Sequence, residues 1–195
     1  MARCYPVVVG LAVAAALLAG ADGGGLMTIF DFARGDEPWP SINDGVMGGV
    51  SDGEMVVAGG IATFHGEVSF DNNGGFASVR SRPRLRNLSG YEGVVVRVRG
   101  DGHRYGLRLR TDAAFDGVSY QAPIEPPAGE WADIAVPFSD FRPVFRGRVL
   151  SDHPPLDPAR ITTFGFMISR QEGPFRLDVA AIGAFPAAAL PVQGS

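Results

Sequence analysis

The sequence has almost no cysteine, no lysine and little histidine. Cys4 is the single cysteine in 195 residues, so an intrachain disulfide is excluded. All 17 basic residues are arginine and the formal net charge is −4, which disfavours general nucleic-acid binding because such domains carry a basic surplus. The three histidines, His65, His103 and His153, are too scattered for a metal-binding motif. We therefore predict no metal site and no nucleic-acid partner.

Recognisable catalytic motifs are missing as well. The serines show no G-x-S-x-G turn, and the single cysteine lies ahead of the mature domain. The glycine runs at 23–25 and 48–49 lack the strand-to-helix context of a phosphate-binding loop. The turn DNNGG at 71–75 lacks the alternating acidic ligands of a calcium loop. The sequence predicts a protein that is not an enzyme, with no catalytic residues and no cofactor.

The N-terminus has the order of a secretory signal. Arg3 precedes an apolar run at 7–19, and Ala19-Gly20-Ala21 provides small residues for cleavage. The run is shorter than the roughly 20 residues that span a bilayer, although an uncleaved anchor and a true start at Met27 remain alternatives. We predict a signal peptide at 1–21, a linker at 22–27, a domain at 28–186 and a flexible tail at 187–195. The protein would be exported, to the periplasm or the medium, or else cytoplasmic, with membrane contact only through an uncleaved N-terminus.

The rest of the chain is predicted to be a single all-β domain. Helical periodicity is nearly absent, and short β-branched or aromatic runs are bounded by glycine, proline and aspartate, which is typical of a β-sandwich. A helical turn is expected only at 157–160. The predicted strands are 28–33, 54–58, 61–69, 76–82, 93–99, 104–111, 118–124, 131–137, 161–169 and 175–182.

One hairpin is predicted in detail around the loop at 100–103. Pairing across this loop would place three valines, at 94, 96 and 98, beside Tyr105, Leu107 and Leu109 on one side. The other side would carry Arg97, Arg99, Arg104, Arg108 and Arg110. Like charges on adjacent strands repel, so this face requires either neighbouring carboxylates such as Glu130 or Asp133, or an acidic partner surface held by arginine forks.

The stretch INDGVMGGVSDGEM at 42–55 is too glycine-rich for a strand or helix and too apolar for an idle linker. Asn43 and Asp44 can close a turn through their side chains, the glycines permit tight reversals, and Met47 can pack under the loop or provide an adaptable contact. Two interpretations stay open, namely a structural latch and a partner-binding loop.

This stretch also carries a resemblance to a known family. The runs WPSINDGVMGGVS (39–51), FHGEVS (64–69), NNGGFASVR (72–80), RGDGHRY (99–105), EWADIAVPF (130–138) and GFMI (165–168) resemble the complex I intermediate-associated protein 30 family. The resemblance covers nearly all of 28–182. It implies a galactose-binding-like jelly-roll β-sandwich that acts as a binding protein in the assembly of respiratory complex I, without chemistry of its own.

Two functions from different classes follow. The first is a protein-binding module that assists assembly or stabilisation of a protein partner. The predicted partner-binding residues are Asn43, Asp44, Met47, Gly48, Gly49, Ser51, Arg97, Arg99, Arg104 and Arg108. The second is a secreted carbohydrate-binding module, since jelly rolls often bind sugars. An exposed pair of aromatic rings among Trp39, Tyr91, Tyr120 and Trp131 would favour carbohydrate. An open arginine face beside the glycine-rich loop would favour protein.

Overall fold

The computed structural model of the chain describes residues 25–114 and 116–186. The predicted signal peptide at 1–21, positions 22–24 of the predicted linker and the predicted tail at 187–195 lie outside these residues. Within them, the first strand begins at Met27 and the last ends at Phe185. The described part contains no helix that is long and apolar enough to cross a membrane.

Every predicted strand is present, and two additional strands occur. The strands are β1 Met27–Asp31, β2 Asp52–Ala58, β3 Ile61–Val68, β4 Phe76–Arg80, β5 Gly93–Arg99, β6 Tyr105–Arg110, β7 Ser119–Ile124, β8 Trp131–Pro137, β9 Arg142–Phe145, β10 Arg148–Val149, β11 Thr163–Ser169 and β12 Gly173–Phe185. The strands β9 and β10 escaped prediction because they are only four and two residues long, and β9 contains a proline. The expected helical turn is a 3-10 turn at Pro158–Arg160, capped by Asp157, whose carboxylate accepts from Ala159 N at 3.0 Å. The expectation that it would be the only one is wrong, because further 3-10 turns occur at Phe32–Arg34, Asp44–Met47, Asp71–Asn73 and Phe138–Asp140.

The strands form two antiparallel six-stranded sheets. In the first, here called sheet A, the order is β2-β3-β12-β5-β8, and β1 also pairs with β12. In the second, here called sheet B, the order is β10-β9-β7-β6-β11-β4. The long strand β12 pairs with β3 through its first half and with β1 through its second half, while β5 runs along most of its other edge. The predicted all-β sandwich is thus confirmed.

The core lies between the two sheets and follows the alternation of the strands. On β11, Phe164, Phe166 and Ile168 are completely buried, as are Val96 and Ile182 on the facing sheet. Residues between them along each strand point to the outer faces, as expected for half-buried strands. The side-chain alternation therefore places one outer face on each sheet, and these two faces are where a ligand or partner could bind.

The predicted hairpin is wrong, because β5 belongs to sheet A and β6 to sheet B. Its three valines and Tyr105, Leu107 and Leu109 do all lie in the core, but they belong to opposite sheets. A period-two pattern looks the same whether two strands pair edge to edge or pack face to face, so the alternation could not distinguish these cases. Consequently the predicted arginine face is divided between the two outer faces of the sandwich.

The loop between β5 and β6 connects sheet A to sheet B and is held by hydrogen bonds to Asp101. The carboxylate of Asp101 accepts from the backbone N of His103 at 3.0 Å, from the Tyr105 hydroxyl at 3.0 Å and from the backbone N of Arg176 at 2.6 Å. Burial alone would raise the pKa of Asp101, but the hydrogen bonds from these groups outweigh it and lower the pKa. One carboxylate thus ties the loop to the start of β6 and to β12 in the opposite sheet.

Candidate functional site

The segment before the glycine-rich loop is anchored in the core. Trp39 is buried, and its ring stacks on Phe166 with the centroids 5.6 Å apart. The chain then runs along the free edge of β4, where Ile42 N donates to the Ser78 carbonyl at 2.8 Å and Arg80 N donates to the Pro40 carbonyl at 3.0 Å. The loop therefore starts as an extension of sheet B.

Asn43 connects this extension to sheet A. Its side-chain amide donates to the Gly53 carbonyl on β2 at 3.0 Å, and its carbonyl oxygen accepts from Ser78 N on β4 at 3.1 Å. Both hydrogen bonds satisfy backbone groups at the rim of the sandwich, where the two sheets come together. Asn43 thus acts as a bridge between the edges of the two sheets.

Asp44 is the centre of the loop and is completely buried. Its Oδ1 accepts from Ser51 N at 3.0 Å, and its Oδ2 accepts from Gly75 N at 2.7 Å and from Phe76 N at 3.1 Å. Burial alone would raise the pKa of this carboxyl, but the hydrogen bonds that it receives from Ser51, Gly75 and Phe76 favour the ionised form and lower the pKa overall. The buried charge is therefore balanced by hydrogen-bond donors from two separate loops.

Two glycines leave the space that the Asp44 carboxylate occupies. A Cβ at Gly49 would lie 2.4 Å from Asp44 Cγ, and a Cβ at Gly74 would lie 2.8 Å from Asp44 Oδ2. Gly48 ends the 3-10 turn Asp44–Met47 with a φ of 91°, in the left-handed region that glycine adopts without strain. In the double glycine of the sequence motif, Gly48 is thus required for its backbone conformation and Gly49 for the space that the Asp44 carboxylate fills.

We expect Gly49→Ala to lower the free energy of unfolding by about 1–3 kcal/mol, because the added methyl group displaces the buried carboxylate from its donors. Gly45→Ala is the matched control in the same loop, since a Cβ there meets nothing within 4 Å. Urea unfolding of both variants measures the difference. Equal stability of the two variants would contradict the close packing of Gly49 on Asp44.

Ser51 closes the loop on the far side. Its hydroxyl accepts from Ser69 N at 3.0 Å and donates to the Ser69 carbonyl at 3.1 Å. The side chains of Asn43, Asp44 and Ser51 therefore hold the loop in place. Among the loop residues whose side-chain burial is described, Gly45, Gly48 and Val50 are exposed, Val50 by 54%. The side chain of Met47 lies outside what the structure describes. This arrangement favours the latch interpretation for the three polar residues.

Two of the predicted arginines lie on the outer face of sheet A, where each has a carboxylate partner. Arg97 donates to Asp133 at 2.8 Å. Arg99 donates through Nε and Nη2 to the buried Asp178, at 3.0 and 2.7 Å, and lies 5.0 Å from the ring centroid of Trp131. These two residues take part in ion pairs on the face of sheet A.

Of the other two predicted arginines, Arg104 lies in the loop that precedes β6 and Arg108 lies on β6 in sheet B. Arg104 is exposed and pairs with Glu125 at 2.6 Å. Arg108 is partly buried, donates from Nη2 to the Ser119 hydroxyl at 2.7 Å, and contacts Met167 Sδ at 3.5 Å. Among the described residues, no carboxylate lies within 4.0 Å of its guanidinium. Burial, followed by the nearby charges of Arg110 and Arg80, lowers the pKa of Arg108 to about 10.

The structure adds residues that the sequence reasoning did not select. Arg80 on β4 and Arg110 on β6 lie close enough to Arg108 to affect its pKa, and both interact with Asp112. Arg110 belongs to the predicted arginine face and Arg80 to the NNGGFASVR run, but neither is among the predicted partner-binding residues. Their proximity arises from the pairing of β11 with both β4 and β6, which single-strand patterns do not contain.

An open groove with a volume of about 500 Å³ lies on the same face. Its lining includes Arg104, Gly106, Gln121, Met167 and Arg170. Arg108 is adjacent to the groove, because it contacts Met167 and pairs in register with Gln121. Among residues 25–114 and 116–186, no group of three or more histidine, cysteine, aspartate or glutamate side chains could hold a metal ion.

None of the four aromatic residues considered for a sugar platform lies open on this groove. Trp39 and Tyr120 are each 4% exposed, and Tyr91 packs against the core. Trp131 lies on the other sheet beneath Arg99. The condition that favoured carbohydrate, an exposed pair among these four rings, is therefore not met on this groove.

The two packed antiparallel sheets define a galactose-binding-like jelly-roll β-sandwich. The family 11 carbohydrate-binding module from Clostridium thermocellum, solved in complex with a β-1,3-1,4-mixed-linked tetrasaccharide, is similar with a TM-score of 0.65, over 85% of this chain and 98% of that chain. The sequence identity is 19%, so this likeness concerns the fold alone. The chain belongs to the complex I intermediate-associated protein 30 family, whose sequence profile matches residues 30–179.

Curated relatives agree with the family. The chain is 29% identical over 182 residues to complex I intermediate-associated protein 30, mitochondrial, of Drosophila melanogaster, covering 80% of this chain and 61% of the fly protein. It is 32% identical over 102 residues to the Mus musculus protein of the same name, covering 50% of this chain and 31% of the mouse protein. The chain thus spans less than two thirds of either relative.

The predicted location is wrong. We expected an exported protein, or a cytoplasmic one without the signal, but both relatives are mitochondrial by name. Positions 1–21 contain arginine and no acidic residue. Mitochondrial transit peptides are also poor in acidic residues, so this property did not exclude a mitochondrial destination.

Proposed function

We propose that this chain is a non-enzymatic protein-binding module that assists the assembly or stabilisation of a protein partner, in the manner implied by the name of its family. The observation that carries the proposal is the family match over residues 30–179, which includes β2 to β11 and parts of β1 and β12. A subunit or intermediate of a respiratory complex is the partner that this family name suggests.

The contact surface in this proposal lies at one side of the sandwich. The loop surface formed by Gly45, Gly48 and Val50 stands at the edge of sheet B, beside β4, and the arginine-rich outer face continues from there across β11 and β6. The polar side chains of the loop fix its backbone to both sheets. A rigid scaffold that presents a fixed loop beside a charged face suits the recognition of a folded or partly folded protein.

Carbohydrate binding is the second candidate, and the groove favours it. The polar groups of Gln121, Ser169 and Gln171 line this open space, and such groups could hydrogen-bond sugar hydroxyls. The lack of an open aromatic ring among the four considered weighs against it, because jelly rolls that bind sugars usually stack them on exposed rings. We therefore rank this function below protein binding.

The test is a crosslinked pull-down of the full tagged chain from its native cells, followed by mass spectrometry. We expect enrichment of respiratory complex I subunits or assembly intermediates relative to a tagged family 11 carbohydrate-binding module, which shares the fold at 19% identity. Calorimetry with the β-1,3-1,4-mixed-linked tetrasaccharide tests the second candidate. Recovery of no respiratory subunit, together with binding of the tetrasaccharide, would replace the proposed function by carbohydrate binding.

A further inference from the structure

Two apolar side chains stand exposed where the glycine-rich loop meets the end of β3. Phe70 is 48% exposed and Val50 is 54% exposed. They lie on the same rim of the sandwich, because their neighbours in sequence are joined: Ser51 Oγ accepts from Ser69 N at 3.0 Å and donates to the Ser69 carbonyl at 3.1 Å. Exposed apolar groups that are gathered at one place and rimmed by polar residues mark interaction sites.

The backbone under these two side chains is fixed. A Cβ at Gly75 would lie 3.4 Å from Phe70 Cδ1, so the aromatic ring packs over the bare backbone of Gly75. Gly75 N donates to the buried Asp44 carboxylate at 2.7 Å, and the same carboxylate accepts from Ser51 N at 3.0 Å. Phe70 and Val50 are therefore presented by a preorganised rim, which reduces the entropic cost of binding.

Three carboxylates accompany the apolar pair and have no cationic partner. Asp52 and Glu67 are exposed and lie directly opposite each other where β2 pairs with β3, and the exposed Asp71 follows Phe70. Among the described residues, no arginine or histidine nitrogen lies within 4.0 Å of these carboxylates. Like charges directly opposite on paired strands destabilise a sheet, so the folding of this chain gives no reason for the arrangement.

One kind of ligand accounts for both the exposed ring and the unpaired carboxylates. An arginine or lysine side chain has an apolar stem and a cationic head. Such a head is attracted to the face of an aromatic ring and forms charge-assisted hydrogen bonds with carboxylates. A purely apolar partner would instead bury carboxylates without partners, which costs free energy. The charge of the rim therefore selects a basic ligand.

We propose that this rim, here called the acidic rim and formed by Val50, Asp52, Glu67, Phe70 and Asp71, binds a basic segment of a partner protein. One arginine or lysine of that segment lays its stem on the two apolar side chains and directs its cationic head to the carboxylates of Asp52 and Glu67. The exposed glycines of the neighbouring loop extend the contact. This inference rests on the proposed function in that the ligand is a protein.

The test measures binding of fluorescein-labelled hexaarginine to the full chain by fluorescence anisotropy. Hexacitrulline is the control peptide, because citrulline has the length of arginine without its charge. We expect hexaarginine to bind, hexacitrulline not to bind, and added salt to weaken the binding. Failure of hexaarginine to bind, or equal binding of the two peptides, would overturn the proposal.

Variants of the acidic rim locate the binding. Phe70→Ala should weaken hexaarginine binding by roughly 10-fold and Glu67→Gln by roughly 5-fold, because the first removes the ring face and the second a carboxylate partner. Circular dichroism melting checks that both variants fold. Glu67→Gln should melt at or above the wild-type temperature, since it removes the repulsion from Asp52. A lower melting temperature with unchanged peptide binding would give Glu67 a structural role and overturn its place in the site.

Glu92→Gln is the matched control. Glu92 is an exposed glutamate that, within the described part of the chain, also lacks a cationic partner within 4.0 Å. Glu67 pairs with Pro174 near the start of β12, whereas Gly93, next to Glu92, pairs with Phe185 at its end. Glu92→Gln should change hexaarginine binding by less than about 2-fold. Equal weakening by Glu67→Gln and Glu92→Gln would show general charge attraction and overturn the proposal.

A second copy of this chain is the alternative occupant, since its arginines could supply the cations. Sedimentation equilibrium over a range of concentrations tests for it. We expect wild type and the Phe70→Ala, Glu67→Gln double variant to have the same mass at every concentration. Self-association of wild type that the double variant loses would assign the acidic rim to a second copy and overturn the proposal.

The pull-down separates this inference from the proposed function. If wild-type protein recovers respiratory subunits and the Phe70→Ala, Glu67→Gln double variant recovers them equally, the function stands and the basic-segment site is overturned. If wild-type protein recovers none, yet hexaarginine binding depends on Phe70 and Glu67 and not on Glu92, the site stands and the proposed complex I role fails.

Discussion

Asp44→Ala is expected to lower the free energy of unfolding by about 3–5 kcal/mol, because it leaves several buried backbone amides without an acceptor. The carboxylate accepts from the amides of Ser51, Gly75 and Phe76, which belong to two separate loops. Its loss should free the 42–51 loop from the turn that precedes β4. Urea unfolding at neutral pH measures the change.

Asp71→Ala is the control for this variant. Asp71 is an exposed aspartate in the neighbouring turn, and its replacement should change stability by no more than about 0.5 kcal/mol. The stability of Asp44→Asn should fall between those of Asp44→Ala and Asp71→Ala, because asparagine keeps one acceptor oxygen but directs an NH₂ group at the remaining amides. Wild-type stability in Asp44→Ala would refute the latch interpretation and return Asp44 to a partner-binding role.

The same residue gives a pH dependence. The pKa of Asp44 in the folded protein lies below its ordinary value of 3.8, so its ionised form contributes stability that is fully present above that value. The contribution is lost as the pH falls through the lowered pKa of the folded state. Asp44→Asn should therefore show a shallower loss of stability than wild type below about pH 4, although Asp101 and Asp178, whose pKa values are also lowered, contribute in both proteins.

Leu107→Ala is the second change with a large expected effect, a loss of about 2–5 kcal/mol. Leu107 is completely buried on β6, at the centre of sheet B, and its truncation leaves a cavity between the two sheets. Leu85→Ala is the matched control, because Leu85 is 68% exposed and its truncation should change stability by no more than about 0.5 kcal/mol. Similar losses in the two variants would contradict the inward orientation of Leu107.

The surroundings of Arg108 differ from what the predicted hairpin implied. A solvated arginine on an outer face is neutral to replacement, but Arg108 is partly buried against Ser119 and Met167. Its pKa is lowered first by burial and then by the charges of Arg110 and Arg80, and the strand pattern could not predict either cause. The sequence correctly put Arg108 on an outer face, but it could not predict that neighbouring side chains partly bury it there.

The sequence by itself determined the inward-facing residues of the strands, the positions of the turns and the family. Alternation with period two set which residues of β5 and β6 enter the core, because a slip by one residue would bury arginines. Glycine, proline and aspartate marked the turns, and the WPSINDGVMGGVS run identified the family that the profile match over residues 30–179 confirmed. These features depend on a few neighbouring residues, so they can be read along the chain.

Only the tertiary structure decided which strands are neighbours. The assignment of β5 and β6 to opposite sheets divided the arginines between two faces, and the pairing of β11 with β4 and β6 brought Arg80 close to Arg108 and Arg110. The acceptor role of Asp44 was likewise set by the turn at Gly75 and Phe76, distant in sequence. Such contacts arise from the packing of whole sheets, whose energy depends on all strands together, and no local pattern carries that information.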